Sequence, residues 1–370
     1  MQRVAEQPSY PGKVCLQQRV LPDYRAPFFD ALAEHCRGGL SVLAGLPRPE
    51  EAITPAGALA VADFEPAENR LLLRGAASLW TQSGLLEWLE RERPDVLVLE
   101  ANPRYLSNMT ARRWMHAAGK PAIGWGLGAV PVRGLRAWFR RSYLDGFDAL
   151  IAYSTLGAAQ YRALGFPAER VFVAPNAADR PPRRMPDRSS LRGRRLRLLF
   201  VGRLQERKRL DLLLEACSGL EDRTEVRIAG DGPDRGRLEA IADRVLPEAA
   251  FLGDLRGEAL QAAFAQADLF VLPGTGGLAL QQALAAGLPV IAAEGDGSQQ
   301  DMVTVENGWL VRPGDPAHLR AALQQALALD ETRLQAMGVA SFRLAQTRFN
   351  LDAMVAAFVA ALCATTPRRT

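Results

Sequence analysis

Short apolar runs alternate with amphipathic stretches along almost the whole chain. In the first half, Lys13–Arg19, Leu40–Gly45, Val96–Glu100, Pro121–Leu127, Ala149–Ser154 and Val171–Pro175 read as strands. Helical periodicity falls between them at Ala26–Cys36, Gly84–Glu92, Asn108–Ala118, Leu135–Leu144 and Thr155–Leu164. A second alternation runs through strands Leu198–Gly202, Val226–Gly230, Ala250–Gly253, Leu269–Pro273, Pro289–Ala293 and Trp309–Arg312. Its helices are Leu210–Cys217, Arg235–Val245, Glu258–Ala267, Leu278–Ala286 and Pro316–Leu327, with Thr332–Arg348 and Leu351–Cys363 closing the chain. Strands spaced by helices predict βαβ units and parallel sheets. Between the two alternations lies Asn176–Arg197, rich in Pro, Arg and Ser and without an apolar stripe. It reads as a linker. The organisation expected is α/β, with one Rossmann-like domain over residues 1–176, a linker over 177–197, a second Rossmann-like domain over 198–348, and a C-terminal helix over 349–370 placed to pack back on the first domain. Two such domains would face each other across a cleft, with ligands outside the carboxyl ends of the strands.

Composition narrows the function classes. The formal net charge of +4 is mild for 370 residues and does not favour nucleic acid. Cys15, Cys36, Cys217 and Cys363 lie far apart with no CxxC spacing, which argues against a disulfide framework or a cysteine zinc site. His35, His116 and His318 lack metal-ligand spacing and read as poor metal ligands. The start, MQRVAEQPSYPGK, has no apolar signal core, and no stretch reads as a membrane span. The expected setting is a reducing, cytoplasmic one. Only Lys13, Lys120 and Lys208 are lysines in an arginine-dominated chain, which makes each of the three worth following.

Candidate chemistry gathers in the second half. In Phe200–Leu210, FVGRLQERKRL, a strand ends at Gly202 and two cations follow, Arg203 and Lys208. A planar fork and a point charge at a strand end suit a phosphate; a solvated helix start is the plain alternative. In Val271–Ile291 a strand runs into Gly274, Thr275, Gly276 and Gly277, with a helix from Leu278. Exposed amides at a helix N-terminus suit a diphosphate, and close packing of helix on strand is the competing explanation. No GK[ST] follows, so this is not a Walker loop. Gly230-Asp231-Gly232 opens like a dinucleotide fingerprint, but Pro233 and Arg235 break it. Asp231–Pro233 reads instead as a rim loop that caps the next helix.

Together these segments resemble the retaining glycosyltransferases of family 4, which have the GT-B fold. The residues that carry the resemblance are GRLxxxK at Gly202–Lys208, AGDGP at Ala229–Pro233, FLGDL at Phe251–Leu255, ADLFVLPG at Ala267–Gly274, ALAAGLPVIA at Ala283–Ala292 and NGWLVRPGD at Asn307–Asp315. Order and spacing hold over roughly residues 196–330. The resemblance implies transfer of a sugar from a UDP- or GDP-sugar to a hydroxyl acceptor with retention of anomeric configuration. The first domain would take the acceptor and the second the donor. It further implies that Arg203 and Lys208 hold the diphosphate and stabilise the leaving group, that backbone at Gly276–Leu278 contacts the phosphates, that Phe251 and Leu252 lie near the base, and that no divalent metal is needed. Gly202 and Gly230 would belong to the same donor site. Two positions where the family commonly has glutamates are Gly274 and Gln282 here, and Leu127 stands where a histidine is usual. A non-catalytic partner protein of the same fold and a nucleotide-sugar epimerase are the alternatives.

On the first domain, Tyr24 and Arg25 follow the first strand, and Trp125 and Leu127 close the fourth; these four are the acceptor-side candidates. Asp23 reads as a helix cap. Glu100, at the end of its strand, is the carboxylate expected to act on the acceptor hydroxyl, with a salt bridge to an arginine as the alternative. Val132–Phe147, VRGLRAWFRRSYLDGF, mixes arginines with Leu135, Trp138 and Phe139. Such a helix can rest on anionic lipid, and family members often act on lipid-linked acceptors. The plainer expectation is that Leu135 and Trp138 pack into the core.

Overall fold

The computed structural model describes residues 8–48, 51, 53–73, 78–130, 132, 134–187 and 195–365. Residues 1–7, residues 188–194 of the linker, Arg133 and the side chain of Arg136 lie outside the described residues. The chain forms two compact units. One runs to Ala178 and takes in the chain from Leu351; the other is Asp179–Asn350.

The first unit is built on a seven-stranded sheet. Its strands are β1 (Val14–Val20), β2 (Leu40–Gly45), β3 (Asp63–Ala67), β6 (Val96–Glu100), β7 (Ala122–Gly126), β8 (Ala149–Ala152) and β9 (Val171–Val173), in the order β3-β2-β1-β6-β7-β8-β9. Every pairing is parallel. Both faces are covered, as a parallel sheet requires. Val14, Leu16, Val96 and Val98 point to one side, Cys15, Leu97 and Leu99 to the other, and all are fully buried. The first face packs on α1 (Ala26–Ala33) and on α13 (Leu351–Ala364), the last helix of the chain. Phe358 of α13 sits 4.8 Å from the rings of both Phe28 and Trp125. Burial of a side chain this size contributes roughly 1.5–3 kcal/mol. The second face packs on α2 (Leu85–Glu92), α3 (Leu106–Ala117) and α5 (Thr155–Ala163) through Trp88, Met115 and Tyr161.

Two features were not expected. Strand β3, sequence DFEPA, carries Pro66 and lies at the sheet edge, where a missing amide costs no ladder bond. An antiparallel pair, β4 (Asn69–Leu73) with β5 (Leu79–Gln82), follows it. A third finding corrects the reading of α4 (Leu135–Leu144). Leu135 is 86% exposed and Trp138 68%, so neither enters the core. The far end of the helix is anchored by Tyr143 and Leu144, with Phe147 just beyond it.

The second unit has a six-stranded parallel sheet of β10 (Leu196–Val201), β11 (Thr224–Ala229), β12 (Ala250–Gly253), β13 (Leu269–Leu272), β14 (Val290–Ala293) and β15 (Gly308–Val311). Its order is β12-β11-β10-β13-β14-β15. The helices are α6 (Leu210–Cys217), α7 (Arg235–Val245), α8 (Gly257–Gln266), α9 (Leu278–Ala285), the short α10 (Ser298–Met302), α11 (Pro316–Leu327) and α12 (Glu331–Thr347). One core joins these helices to the sheet, from Leu198 and Phe200 to Leu284 and Leu323.

Residues 331–364 are long and apolar enough to cross a membrane by length and composition, contrary to the sequence expectation. They form two helices in different units. Leu334 and Ala345 of α12 lie in the core of the second unit, and Leu351, Met354 and Phe358 of α13 in that of the first. The apolar character is therefore spent on packing.

Candidate active site

In open parallel sheets the crevice for a ligand lies where the strand order reverses, outside the carboxyl ends of the strands. Each unit has one such point. In the second unit it falls between β10 and β13. Gly202 and Arg203 follow β10, and the turn Gly274–Gly277 follows β13. Topology thus brings these two sequence segments together.

Lys208 ends a single 3-10 turn, Glu206–Lys208, and is buried, 9% exposed. Its ammonium reaches the glycine turn: a methyl group placed on Gly276 would stand 2.2 Å from Lys208 Nζ. One placed on Gly202 would stand 3.7 Å from the same atom. Gly276 has φ +141°, a conformation side chains rarely adopt. Among the described residues no carboxylate pairs with Lys208. Burial, reinforced by the nearby charge of Arg207, lowers its pKa to about 8. A buried cation without a counter-ion is costly. It becomes favourable when an anion arrives.

The rest of the turn supports that arrangement. Thr275 N donates to the Arg207 carbonyl at 3.1 Å, and Arg207 Nη1 donates to Thr275 Oγ1 at 3.3 Å. Gly274 packs so closely on the Arg207–Lys208 backbone that a methyl would meet it at 2.4 Å. Gln299 of α10 donates to the Gly276 carbonyl at 3.2 Å. Helix α9 starts at Leu278 with no side-chain cap from Gly277. Arg203 lies half-buried on the turn after Gly202. Gly230 holds that turn from the other side, its Cβ position 2.0 Å from the Gly202 carbonyl oxygen. Gln282 Nε2 donates to Asp179 Oδ2 at 3.3 Å, so a carboxylate stands beside the amide. Phe251 leans on the core from edge strand β12, and Leu252 faces outward, 39% exposed.

Sequence reasoning passed over Arg207, Asp179 and Gln299. Arg207 adjoins Lys208 in the same motif and could have been noticed. The other two reach the turn only through tertiary packing. Asp231 does not cap α7: it accepts from Gly232 N at 2.7 Å and pairs with Arg235 at 3.7 Å, while Asp234 takes the cap position without a side-chain bond.

In the first unit the order reverses between β1 and β6. Glu100 closes β6 and bridges that point, accepting from Arg19 N of β1 at 2.7 Å. No arginine forms an ion pair with it among the described residues. Burial raises its pKa above the ordinary carboxylate value, against the opposing pull of the Arg19 amide and guanidinium, the Tyr105 hydroxyl and Arg25. Glu100 lines a cavity of about 520 Å³ together with Asn102, Arg104, Trp125, Leu127 and Tyr153. Arg25 is buried below this wall, its guanidinium 4.9 Å from the Trp125 ring, 5.7 Å from Tyr153 and 5.8 Å from Tyr24. Among the described residues its Nε and Nη1 find no hydrogen-bond partner. Tyr24 and Arg25 do not line the cavity. Asp23 does not cap α1 either. Its Oδ1 accepts from Tyr24 N at 2.7 Å, and Pro27 at the start of α1 removes one amide that would need a cap.

Two Rossmann-like units, the second with a buried ammonium beside a glycine-rich turn at its reversal point, define the class of α/β fold to which the chain belongs. Residues 195–328 match the family described as glycosyl transferases group 1, and residues 30–177 match the glycosyl transferase 4-like domain. The chain belongs to this family, and its fold is of the GT-B class. Among curated relatives, a GDP-mannose-dependent alpha-mannosyltransferase of Mycolicibacterium smegmatis is 40% identical over 115 residues, 30% of this chain and 29% of the relative. The putative colanic acid biosynthesis glycosyltransferase WcaL of Salmonella typhimurium is 29% identical over 205 residues, 51% of this chain and 50% of the relative. The chain thus matches half or less of the length of these relatives. Among solved structures, Anabaena Alr3699/HepE in complex with UDP superposes with a TM-score of 0.67 at 16% identity, covering 92% of this chain and 96% of that one.

Proposed function

We propose that the protein is a retaining glycosyltransferase that moves a sugar from a UDP- or GDP-sugar to a hydroxyl acceptor without a divalent metal. The observation that carries this reading is the buried ammonium of Lys208, without a carboxylate partner among the described residues, beside Gly276 at the start of α9. Lys208 and Arg203 would neutralise the diphosphate, with the amides of Gly276–Leu278 completing the seat. The sugar–phosphate bond breaks as the acceptor oxygen attacks from the same face. The hydroxyl proton passes to the departing phosphate oxygen. The Gln282–Asp179 pair offers acceptors for ribose hydroxyls. Phe251 and Leu252 would flank the base. On the first unit, Glu100 would orient the acceptor hydroxyl at the cavity it shares with Trp125 and Leu127. A related mannosyltransferase named for GDP-mannose and a structural neighbour bound to UDP support the two donor classes offered. A cytoplasmic reaction is part of the same proposal.

The test is calorimetry with UDP and GDP, followed by transfer assays with a panel of their sugars in the presence of EDTA. One nucleotide should bind, and chelation should leave turnover intact with an α-linked donor giving an α-linked product. Failure to bind either nucleotide would remove the reading. Binding without transfer or donor hydrolysis would favour the non-catalytic partner protein, which the Gly274 and Gln282 replacements support.

Nucleotide affinity should also depend on pH in one direction. Anion binding favours charged Lys208, whose free pKa is about 8. Raising the pH above 8 should therefore weaken binding, approaching tenfold per unit, with a proton taken up on binding. Calorimetry in buffers of differing ionisation enthalpy checks this. Affinity unchanged from pH 7.5 to 9.5 would exclude Lys208 from the site.

A further inference from the structure

Three neighbouring strands of the first unit end on one row of side chains. Glu100 of β6 is the register partner of Trp125 of β7, and Trp125 that of Ile151 of β8. Alternation puts Glu100 on the face of Val96 and Val98, Trp125 on that of Ile123, and Tyr153 on that of Ile151. This is the face that α1 and α13 cover. Tyr153, one residue past β8, still donates its amide to the Gly126 carbonyl at 3.3 Å. Glu100, Trp125 and Tyr153 thus stand side by side at the carboxyl end of the sheet, the two rings 5.2 Å apart. All three line the cavity.

Arg25 is set against this row from the segment that follows β1. It is buried, stacks on the Trp125 ring and bonds the Tyr153 hydroxyl. Among the described residues no carboxylate pairs with it, and Nε and Nη1 find no acceptor. The ring faces offset part of the lost hydration. A guanidinium held in this way still costs stability, and an apolar chain of similar length would fill the enclosure more favourably. Packing alone gives no reason for a positive charge at this place.

The carboxylate beside it does. Glu100 faces Arg19 of β1, the Tyr105 hydroxyl just before α3, Tyr153 and Arg25. Tyr143 of α4 donates to its carbonyl oxygen at 3.5 Å, and Arg104 and Arg140 stand further along the cavity lining. From α1 and α13, Phe28 and Phe358 pack against Trp125. Burial raises the Glu100 carboxyl above its ordinary value, opposed by the Arg19 amide and guanidinium, Tyr105 and Arg25. The Arg19 guanidinium is already engaged by Glu51 at 3.0 Å. We propose that Arg25 is a positioning residue that acts through Glu100: it supplies the positive charge that keeps Glu100 a carboxylate, and it fixes the Trp125 and Tyr153 rings that shape the cavity. The role of the cavity rests on the transferase reading. There, an ionised Glu100 accepts a hydrogen bond from the acceptor hydroxyl, whereas a protonated one is a weaker acceptor and presents a proton of its own.

The experiment compares the full chain with R25M, R25K, E100Q and R25M/E100Q between pH 5 and 9, reading kcat/KM for the acceptor, nucleotide affinity and thermal unfolding. In R25M the acid limb of kcat/KM should move to higher pH by about one unit, a loss approaching tenfold on that limb. R25K keeps the charge and should leave the limb near its wild-type position. In the E100Q background R25M should cost much less. Nucleotide affinity should stay unchanged, and the unfolding midpoint of R25M should equal or exceed that of wild type, since a buried charge is replaced by an apolar chain. A limb that stays in place in R25M, an equal shift in R25K, or an equal loss with and without Glu100 overturns the proposal. A lower midpoint with an unmoved limb does so too, by marking a structural role. Should R25M misfold, R25Q, which keeps donors without the charge, takes its place with the same expectation for the limb. Should the wild type bind no nucleotide and transfer nothing, the transferase reading fails alone. Carbon-13 NMR titration of the Glu100 carboxyl, assigned with E100Q, then decides: an upward shift in R25M supports the role of Arg25, and an unchanged titration overturns it.

Discussion

Replacing Lys208 with Met will remove nucleotide binding and at the same time make the ligand-free protein more stable. The two effects share one cause. Lys208 is buried with no carboxylate partner among the described residues, and desolvation pulls its pKa from 10.5 to about 8. The folded pKa lies below the unfolded one, so the unfolded chain holds the proton more tightly. The cost of keeping Lys208 charged is full below pH 8 and fades as pH rises through 10.5. A shift of this size corresponds to a penalty on the order of 3 kcal/mol. Methionine fills much of the same space without the charge, and a gain of about 1–2 kcal/mol is expected at pH 7. Loss of a charge-assisted contact to a diphosphate should lower kcat/KM by ~100-fold or more. Denaturant titration at pH 7 and pH 10 checks the stability: the advantage of the variant should be clear at the first and smaller at the second. A variant less stable than wild type at pH 7 would show that Lys208 is paid for by contacts inside the fold.

Gly230→Ala should damage the same site from beneath. The added methyl would lie 2.0 Å from the Gly202 carbonyl oxygen and 2.9 Å from its carbon, both backbone atoms that cannot rotate aside. Gly230 also has φ +146°, which disfavours any side chain. Its neighbour Ala229 accepts the Gly202 amide at 3.0 Å, so a shift at Gly230 is passed to the turn that carries Arg203. A loss of roughly 3 kcal/mol or more is expected, together with most of the nucleotide affinity. Gly236→Ala is the control. It sits in helix α7 with open space around it, and should stabilise by about 0.5–1 kcal/mol. Thermal unfolding of both variants decides. Equal behaviour would mean that the Gly202–Gly230 contact carries no constraint.

Much of the sheet framework was legible because parallel strands are buried on both faces. Val96–Leu99 and Leu269–Leu272 are continuous apolar runs, and all eight residues are fully buried. Strand β3 was missed because Pro66, Asp63 and Glu65 argue against a strand, and only an edge position tolerates them. The cap assigned to Asp23 failed because a 3-10 turn and Pro27 intervene before α1 settles. The exposure of Leu135 and Trp138 was misjudged for a different reason. Helical spacing shows that they share a face, not which way the face points. At the site, the segments Gly202–Lys208 and Gly274–Leu278 were readable as motifs. Their meeting depends on β10 lying beside β13, which is a fact of topology. The aromatic enclosure of Arg25 by Tyr24, Trp125 and Tyr153 joins residues far apart in sequence, and no local pattern announces it.

The central claim is that the ammonium of Lys208 and the first amides of α9 seat a pyrophosphate. Crystals of the protein soaked with a UDP- or GDP-sugar test it most directly. A phosphate oxygen should be found within hydrogen-bond distance of Lys208 Nζ and of the Gly276–Leu278 backbone. A bound nucleotide with its phosphates elsewhere, and Lys208 still facing no anion, would contradict it.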